Sequence, residues 1–370
     1  MAENECIATI QTVDSAQVYI KERYSDTIGL ATSILGQVLL GTIRGTKRKK
    51  EVIKLCVKDT KQQFADRVAE NPRMEIEFMQ KICSVEHPHF VSFIDAVEDK
   101  KLYCICLEYV SGGDMCTYLQ NLRCGLANEQ AIKYTVQLAK AVYFMHENGY
   151  CHLDLSLENV LLDKKKDVVK ICDFGLCRRF PNGDSSALFP AATIRPGKKG
   201  YMAPEVYAYQ RFNGEKADVF SLGVLIFILL TGFPPFTTPN ASDKCFQYMY
   251  YGKLEWLLKQ WKLNDIINAQ CRDLLSKIFC HPKKRITVKE MLQHPWLNQN
   301  IYEIDAEILA FQMASTSMAQ PVSPVNSQQS ESEAGCVSTD DLRTKPSSPP
   351  PAATIPPSST PSQTTSASIS

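Results

Sequence analysis

One stretch of the sequence decides the predicted fold: His152-Leu153-Asp154-Leu155-Ser156-Leu157-Glu158-Asn159. Its histidine, aspartate and asparagine follow the pattern H-x-D-x-x-x-x-N. A second motif, Asp173-Phe174-Gly175, comes after the strand-like run 168–172, and Ala203-Pro204-Glu205 follows further along. Either of the first two motifs alone is weak evidence, but chance agreement of all three in this order is very improbable.

Together these motifs resemble the signature set of eukaryotic-type protein kinases. Phosphoryl transfer requires metal ions on the phosphate oxygens, a group that orients the attacking hydroxyl, and a cation on the other phosphates. The resemblance implies ATP and Mg²⁺ as cofactors, with Asn159 and Asp173 as the metal ligands. It also implies that Asp154 accepts the hydroxyl proton of a protein substrate.

The pattern of apolar residues predicts a sheet-rich lobe followed by a helix-rich lobe, and the resemblance implies that these form the α+β, bilobal fold of protein kinases. Residues 24–107 alternate short β-branched and aromatic runs with turns and contain one helical stretch near 73–85, which indicates a small β-rich lobe with one main helix. Residues 108–113 resemble the hinge between lobes. Residues 114–297 are expected to form a larger, mainly α-helical lobe, in which Asn148-Gly149 ends one long helix.

Two segments flank the predicted domain 24–297. Residues 1–23 are interpreted as an N-terminal extension. Residues 298–370 are rich in Ser, Thr and Pro beyond about Met318, so we expect a largely disordered tail. Its Ser-Pro and Thr-Pro pairs offer sites for proline-directed kinases and docking segments for regulatory partners, and a passive extension is the alternative.

Charge and cysteine content limit the function classes. The net charge of +1 argues against binding nucleic acid through bulk electrostatics. The 14 cysteines form no C-x-x-C pair, which favours a reducing compartment and hence the cytoplasm, with the nucleus as an alternative.

The basic run 47–50 is interpreted as a hairpin turn. The longest apolar run, Val219 to Phe233, is too short to span a bilayer, so it predicts a buried helix.

Two lysines compete for the role of phosphate anchor. In the family, the residue two before the anchor is small because adenine packs against it. Leu55-Cys56-Val57-Lys58 meets this requirement better than the run ending at Lys54, so Lys58 is predicted as the anchor and Cys56 as an adenine contact. Lys54 is then expected to point outward from the same strand, and it remains the alternative.

The helical partner of this lysine is Glu75 or Glu77. The helix must bury one face, so apolar residues should follow the glutamate at three, four and seven positions. Glu75 is followed in this way by Phe78, Met79 and Ile82. The periodicity therefore favours Glu75.

The remaining nucleotide contacts follow from the resemblance alone. Backbone groups of Glu108 and Val110 are expected to bond adenine, and the other predicted lining residues are Leu30, Gly36, Val38, Asp114 and Leu161. The glycine-rich hairpin departs from the family pattern, because Ala31 and Ser33 stand where its first two glycines belong. This departure indicates a stiffer loop and weaker affinity for ATP.

Two substitutions lie close to the chemistry. Leu153 replaces the arginine that in many kinases receives an activation-segment phosphate, so we expect activity without phosphorylation between Asp173 and Glu205. Ser156 replaces the lysine of Ser/Thr kinases that contacts the γ-phosphate. We expect Lys198 to project back toward Asp154 and supply this cation, and a solvated lysine is the alternative.

The sequence therefore predicts a signalling enzyme that phosphorylates Ser or Thr in protein substrates. The glycines at 112–113 and the small lobe resemble the Ser/Thr branch. The alternatives are an ATP-binding pseudokinase scaffold and a Tyr or dual-specificity kinase.

Overall fold

The computed structural model describes residues 10–298, apart from 33–34, 47, 59–69, 84–86, 166 and 193. Contacts divide the chain into two units, Met1–Gln320 and Pro321–Ser370. The predictions made for the tail beyond residue 298 lie outside the described residues, as do those for Ser33 and Thr193.

The small lobe is built on a six-stranded sheet. Its strands lie in the order β1-β5-β6-β4-β3-β2, with β1 parallel to β5 and the other neighbours antiparallel. The strands are β1 (Gln11–Thr12), β2 (Tyr24–Thr32), β3 (Gly36–Ile43), β4 (Lys50–Val57), β5 (Phe93–Glu98) and β6 (Leu102–Glu108). Strands β3 and β4 are rich in apolar and β-branched residues, most of which are buried or half-buried.

Residues 10–23 are part of this lobe. Helix α1 (Ala16–Arg23) follows β1, and its buried Ala16 packs with Tyr24, Ile53 and Val97 on the sheet. Arg23 at the helix end pairs with the buried carboxylate of Glu51 at 3.0 Å. The predicted boundary at residue 24 therefore divides a folded unit.

The second described helix of the small lobe, α2 (Pro72–Cys83), carries Glu75 on its buried face. The ring of Phe78 on this helix lies 4.8 Å from that of Phe174, measured between centroids. Phe174 in turn lies 5.3 Å from the ring of His152. This chain of packed rings connects α2 to both predicted motifs of the large lobe.

The large lobe is mainly helical. Its helices are α3 (Met115–Leu122), α4 (Asn128–Glu147), α5 (Pro204–Tyr207), α6 (Gly214–Thr231), α7 (Lys244–Tyr250), α8 (Leu254–Gln260), α9 (Ala269–Ile278) and α10 (Val288–Leu292). Short strands and two 3₁₀ turns lie between them: β7 (Tyr150–Cys151), η1 (Leu157–Asn159), β8 (Val160–Asp163), β9 (Val168–Ile171), β10 (Arg178–Arg179), η2 (Pro181–Gly183), β11 (Leu188–Phe189) and β12 (Phe212–Asn213). The bilobal α+β fold is thus confirmed.

Helix α6 is the predicted buried helix, and its side chains from Ala217 to Thr231 are all buried. Asp218 on this helix accepts bonds from the backbone N–H groups of His152 and Leu153, each at 2.8 Å. It also bonds to His146 at 2.9 Å. The fully buried carboxylate of Asp218 therefore fixes the backbone of the loop that follows β7. Within the described part of the chain, no helix is long and apolar enough to cross a bilayer.

Candidate active site

A cavity of about 600 Å³ lies between the sheet of the small lobe and the first elements of the large lobe. Of the predicted nucleotide contacts and metal ligands, most line it: Leu30, Val38, Glu75, Glu108, Val110, Asp114, Asn159, Leu161 and Asp173. Ligand sites for small molecules usually have this size and an apolar lining with few polar groups. The cavity is therefore the candidate nucleotide site.

Lys54 occupies the centre of this cavity. Its ammonium nitrogen lies 2.8 and 3.0 Å from the two carboxylate oxygens of Glu75 and 2.7 Å from Oδ1 of Asp173. Burial alone would lower the pKa of this lysine, but the two carboxylates hold it well above its ordinary value. Lys54 therefore stays charged and joins helix α2 to the Asp173 motif.

The prediction of Lys58 as the partner of Glu75 is wrong. Lys58 lies just beyond the end of β4, where its ammonium pairs with Glu98 at 2.6 Å and lies 4.6 Å from the ring centroid of Tyr103. Residues 54 and 58 are an even number apart and share a face of the strand, so Lys54 does not point outward as expected. The two lysines differ in their position along the chain: Lys54 lies within β4, and Lys58 lies just beyond its end.

Because Lys54 and not Lys58 is the partner of Glu75, the small residue predicted two positions before the lysine is Val52 and not Cys56. Val52 lines the cavity, whereas Cys56 does not and is almost fully buried. Gly36 does not line the cavity either. It pairs with Cys56 across the sheet, and a Cβ there would lie 1.9 Å from the carbonyl oxygen of Leu55. Its lack of a side chain serves close strand packing, so both predicted nucleotide contacts are corrected.

Glu75 rather than Glu77 faces the lysine, as the periodicity predicted. Phe78, Met79 and Ile82 are all buried. Burial raises the pKa of Glu75, and the adjacent ammonium of Lys54 opposes this rise. Glu77 lies on another side of the helix and pairs with Arg179 at 2.6 Å.

The two predicted metal ligands lie on adjacent loops. Asp173 has a φ of 62°, in the left-handed region that is unusual for a residue other than glycine. Burial would raise the pKa of its carboxyl, but the ammonium of Lys54 outweighs this effect and lowers it. Asn159 donates from Nδ2 to Oδ2 and to the backbone oxygen of Asp154, each at 2.8 Å.

Lys198 reaches back to the loop that carries Asp154. Its ammonium lies 3.1 Å from Oδ2 of Asp154, 2.9 Å from Oγ of Ser156 and 3.4 Å from Oδ1 of Asn159. Its backbone N–H also donates to Oδ1 of Asp154 at 2.9 Å. The serine is fully buried, and a longer side chain at this position would displace the ammonium. The predicted approach of Lys198 to Asp154 and Ser156 is what the structure has.

The strand that leads to the hinge adds several contacts that sequence reasoning missed. Leu107 and Tyr109 line the cavity beside the predicted pair Glu108 and Val110, and Val91 and Cys172 line its inner part. The carboxylate of Glu108 pairs with Lys170 at 2.5 Å. Alternation along β6 could have identified Leu107, since its side chain faces the lobe interior.

An ion pair between Glu205 and Arg285 lies deep in the large lobe. Nη1 of Arg285 lies 2.6 Å from Oε1 of Glu205, and Nη2 lies 3.2 Å from Oε2. Both side chains are almost completely buried. A buried bidentate pair of this kind fixes geometry, so it anchors the segment that ends at α5.

Comparison with known proteins gives one family over most of the chain. Residues 31–297 match the protein kinase domain. The Arabidopsis thaliana serine/threonine-protein kinase SRK2G is 34% identical over 253 residues, covering 66% of this chain and 68% of that protein. The Oryza sativa kinase SAPK7 is 34% identical over 223 residues, covering 59% of each.

A mammalian relative shares the domain but is much longer. The SNF-related serine/threonine-protein kinase of Rattus norvegicus is 33% identical over 215 residues, which cover 58% of this chain and 27% of that protein. The similarity thus covers about a quarter of that protein's length. Because the domain match covers well over half of the chain and contains the Lys54, Asp154 and Asp173 sites, the chain belongs to the protein kinase family.

Proposed function

We propose that this protein is an active kinase that transfers the γ-phosphate of ATP to Ser or Thr hydroxyls of protein substrates. The observation that carries the proposal is the convergence of two lysine–carboxylate clusters on one cleft. Lys54 contacts Glu75 and Asp173, and Lys198 contacts Asp154 and Ser156. A scaffold without catalysis has no need of the second cluster.

The residues present fit ATP and Mg²⁺. Side chains of Val38, Val52 and Leu161 give the cavity apolar walls for an adenine ring. Asn159 and Asp173 offer oxygen ligands, and Mg²⁺ is typically held by one or two protein groups together with phosphates. Among the described residues no cluster of three or more ligating side chains forms a metal cage, which agrees with a metal shared with phosphate. When bound, ATP with Mg²⁺ supplies the phosphoryl group and neutralises its oxygens.

In this proposal the protein's own side chains accept the substrate proton, orient the accepting carboxylate and bind the phosphates. Asp154 accepts the proton from the substrate hydroxyl, and Asn159 and Lys198 orient its carboxylate. Lys198 also provides the cation that Ser/Thr kinases otherwise carry at the position of Ser156. Lys54, whose charged form is stabilised by Glu75, would bind phosphate oxygens of the nucleotide.

Ser/Thr specificity is proposed from the relatives, which are named as serine/threonine-protein kinases. We place the activity in the cytoplasm, because free thiols such as Cys104 and Cys106 in the sheet fit a reducing compartment. A pseudokinase scaffold is the second candidate. It is favoured by Ala31, which lines the cavity where the family has a flexible glycine.

The test is phosphate transfer from radiolabelled ATP with Mg²⁺ to a generic basic protein, comparing the natural chain with Asp154→Asn. We expect transfer by the natural chain only, with the label on serine and threonine after hydrolysis. Equal signal from both proteins would contradict the enzyme proposal. Nucleotide binding in a thermal-shift assay, without transfer by the natural chain, would favour the scaffold.

A further inference from the structure

Arg195 lies on the segment that crosses the catalytic loop. Gly197 packs so closely on this loop that a Cβ there would lie 2.4 Å from the carbonyl oxygen of Leu153. Lys198, the next residue, bonds to Asp154 through both its backbone and its side chain. Three residue steps span at most about 11 Å, so the backbone of Arg195 lies within reach of residues that flank an acceptor hydroxyl at Asp154.

Two tyrosine rings hold the guanidinium of Arg195. Its central carbon lies 4.0 Å from the ring centroid of Tyr207 and 4.1 Å from that of Tyr209. Arginine stacks well on aromatic faces, because its planar cation is weakly hydrated. Contact with both rings fixes the position of the guanidinium.

Arg195 has no anionic partner within the described part of the chain. Its Nε is buried and has no hydrogen-bond partner. Arg285, which is buried as a whole, differs in that the carboxylate of Glu205 fills its fork. A buried donor without a partner is costly, and such groups in folded proteins usually have a function.

The backbone of Tyr209 is strained in the position that brings its ring to Arg195. Its φ is 54°, in the left-handed region that bulky side chains rarely adopt. The side chain is also 46% exposed, so burial of the ring does not account for the conformation. Strain of this kind is concentrated at functional sites.

We propose that Arg195 is a specificity-determining residue that binds an anionic side chain, a carboxylate or a phosphate, within about three residues of the acceptor hydroxyl. A planar guanidinium held between rings matches the two oxygens of such a group in a bidentate, charge-assisted contact. The inference rests on the proposed function, because it identifies the substrate class of that site. A purely structural stack is the opposing explanation, and it would affect all substrates equally.

The experiment uses a set of peptides with one serine acceptor and neutral flanks. Asp, phosphoserine or Lys replaces one flanking residue at a time, from three positions before the acceptor to three positions after it. Transfer rates and peptide binding by fluorescence anisotropy are measured for the natural chain, for Arg195→Ala and Arg195→Lys, and for Arg211→Ala. Arg211 is exposed and close in sequence, so it is the matched control for loss of one positive charge.

We expect the natural chain and Arg211→Ala to favour the anionic peptide at one position by about tenfold, the usual scale of a charge-assisted contact. Arg195→Ala should lose this preference and keep its rate on the neutral peptide. Arg195→Lys keeps the charge without the fork and should retain only part of the preference, which preserves the test if the alanine variant unfolds. Stronger preference for phosphoserine than for Asp would identify a previously phosphorylated site as the ligand.

The readouts separate this inference from the proposed function. Transfer without any preference for anionic peptides, or a preference unchanged in Arg195→Ala, would overturn the role of Arg195 and leave the kinase activity standing. Tighter binding of anionic peptides that depends on Arg195, without transfer to any peptide, would support Arg195 and contradict the activity.

Discussion

Two lysines form ion pairs with the carboxylates of the cleft, and they do so in different surroundings. The side chain of Lys54 is 10% exposed and lies between Glu75 and Asp173. That of Lys198 is 39% exposed and lies beside Asp154, which is itself 12% exposed. The Lys54–Glu75 pair is part of the protein interior, whereas the Lys198–Asp154 pair is open to water on the side of the lysine. Burial makes an ion pair rigid and its loss costly, whereas partial exposure leaves the lysine able to exchange one oxygen partner for another.

The largest effect is expected at the buried lysine. Lys54→Met leaves Glu75 buried without its partner and removes the cation proposed for the phosphates. We expect transfer to fall by about 10²- to 10³-fold, as for other fixed groups that stabilise transition-state charge. Lys58→Met is the control, because Lys58 pairs with Glu98 outside the cleft. Steady-state rates on a basic protein measure both, and equal losses would contradict the assignment.

A smaller loss is expected at the exposed lysine. Lys198→Ala removes the ammonium beside Asp154 and Ser156, and water replaces part of its effect. The turnover number should fall about 10- to 100-fold, the range for one bond to a charged group. Adding Ser156→Lys should restore activity, because a lysine there can reach the same space. An unchanged turnover number in Lys198→Ala would show that this lysine is not needed.

The helical partner tests whether the buried pair positions the lysine. Glu75→Gln keeps the shape of the side chain but removes its charge, so Lys54 is held by Asp173 alone. We expect roughly a tenfold loss of activity, which corresponds to a modest loss of positioning. Glu77→Gln on the neighbouring face is the matched variant and should retain activity. Kinetics and thermal denaturation of the two proteins separate a catalytic effect from loss of folding.

The smallest effect is expected in the activation segment. Leu153 offers no cation to a phosphate, and Ser186 already bonds through its hydroxyl to Asp184 at 2.7 Å. The triple alanine variant of Ser185, Ser186 and Thr193 should therefore keep its activity within about twofold, the usual scale of surface substitutions. Nearly complete inactivation would mean that phosphorylation here is required.

The contrast between the two lysines also explains what the sequence could predict. Glu75 was identified from helical periodicity, because burial of one face constrains residues three and four apart. Lys198 was identified because Ser156 lacks the lysine that the family carries at that position, so another cation was expected to replace it. Both inferences depend on residue spacing within a helix or a motif, and this spacing can be read from the sequence.

The choice between Lys54 and Lys58 depended on long-range pairing. Both residues face the same side of β4, so alternation cannot distinguish them. The register of β4 on β6, in which Lys54 lies opposite Ile105, places Lys54 level with helix α2. Register of this kind is set by the packing of the whole sheet. The local rule of a small residue before the lysine selected Cys56, although Val52 satisfies the contact.

Because the short strand β1 pairs with the sheet, the folded unit begins earlier in the chain than the family match does. The family match begins at residue 31, yet β1 pairs with β5 at Gln11 and Thr12, and Val13 donates a further bond to Glu98 at 2.8 Å. Without these residues, β5 becomes the outer strand of the sheet, with backbone groups free to pair with another molecule. Open edges of this kind promote aggregation. A shortened protein for biochemical work should therefore begin before residue 10 rather than at the edge of the conserved domain match.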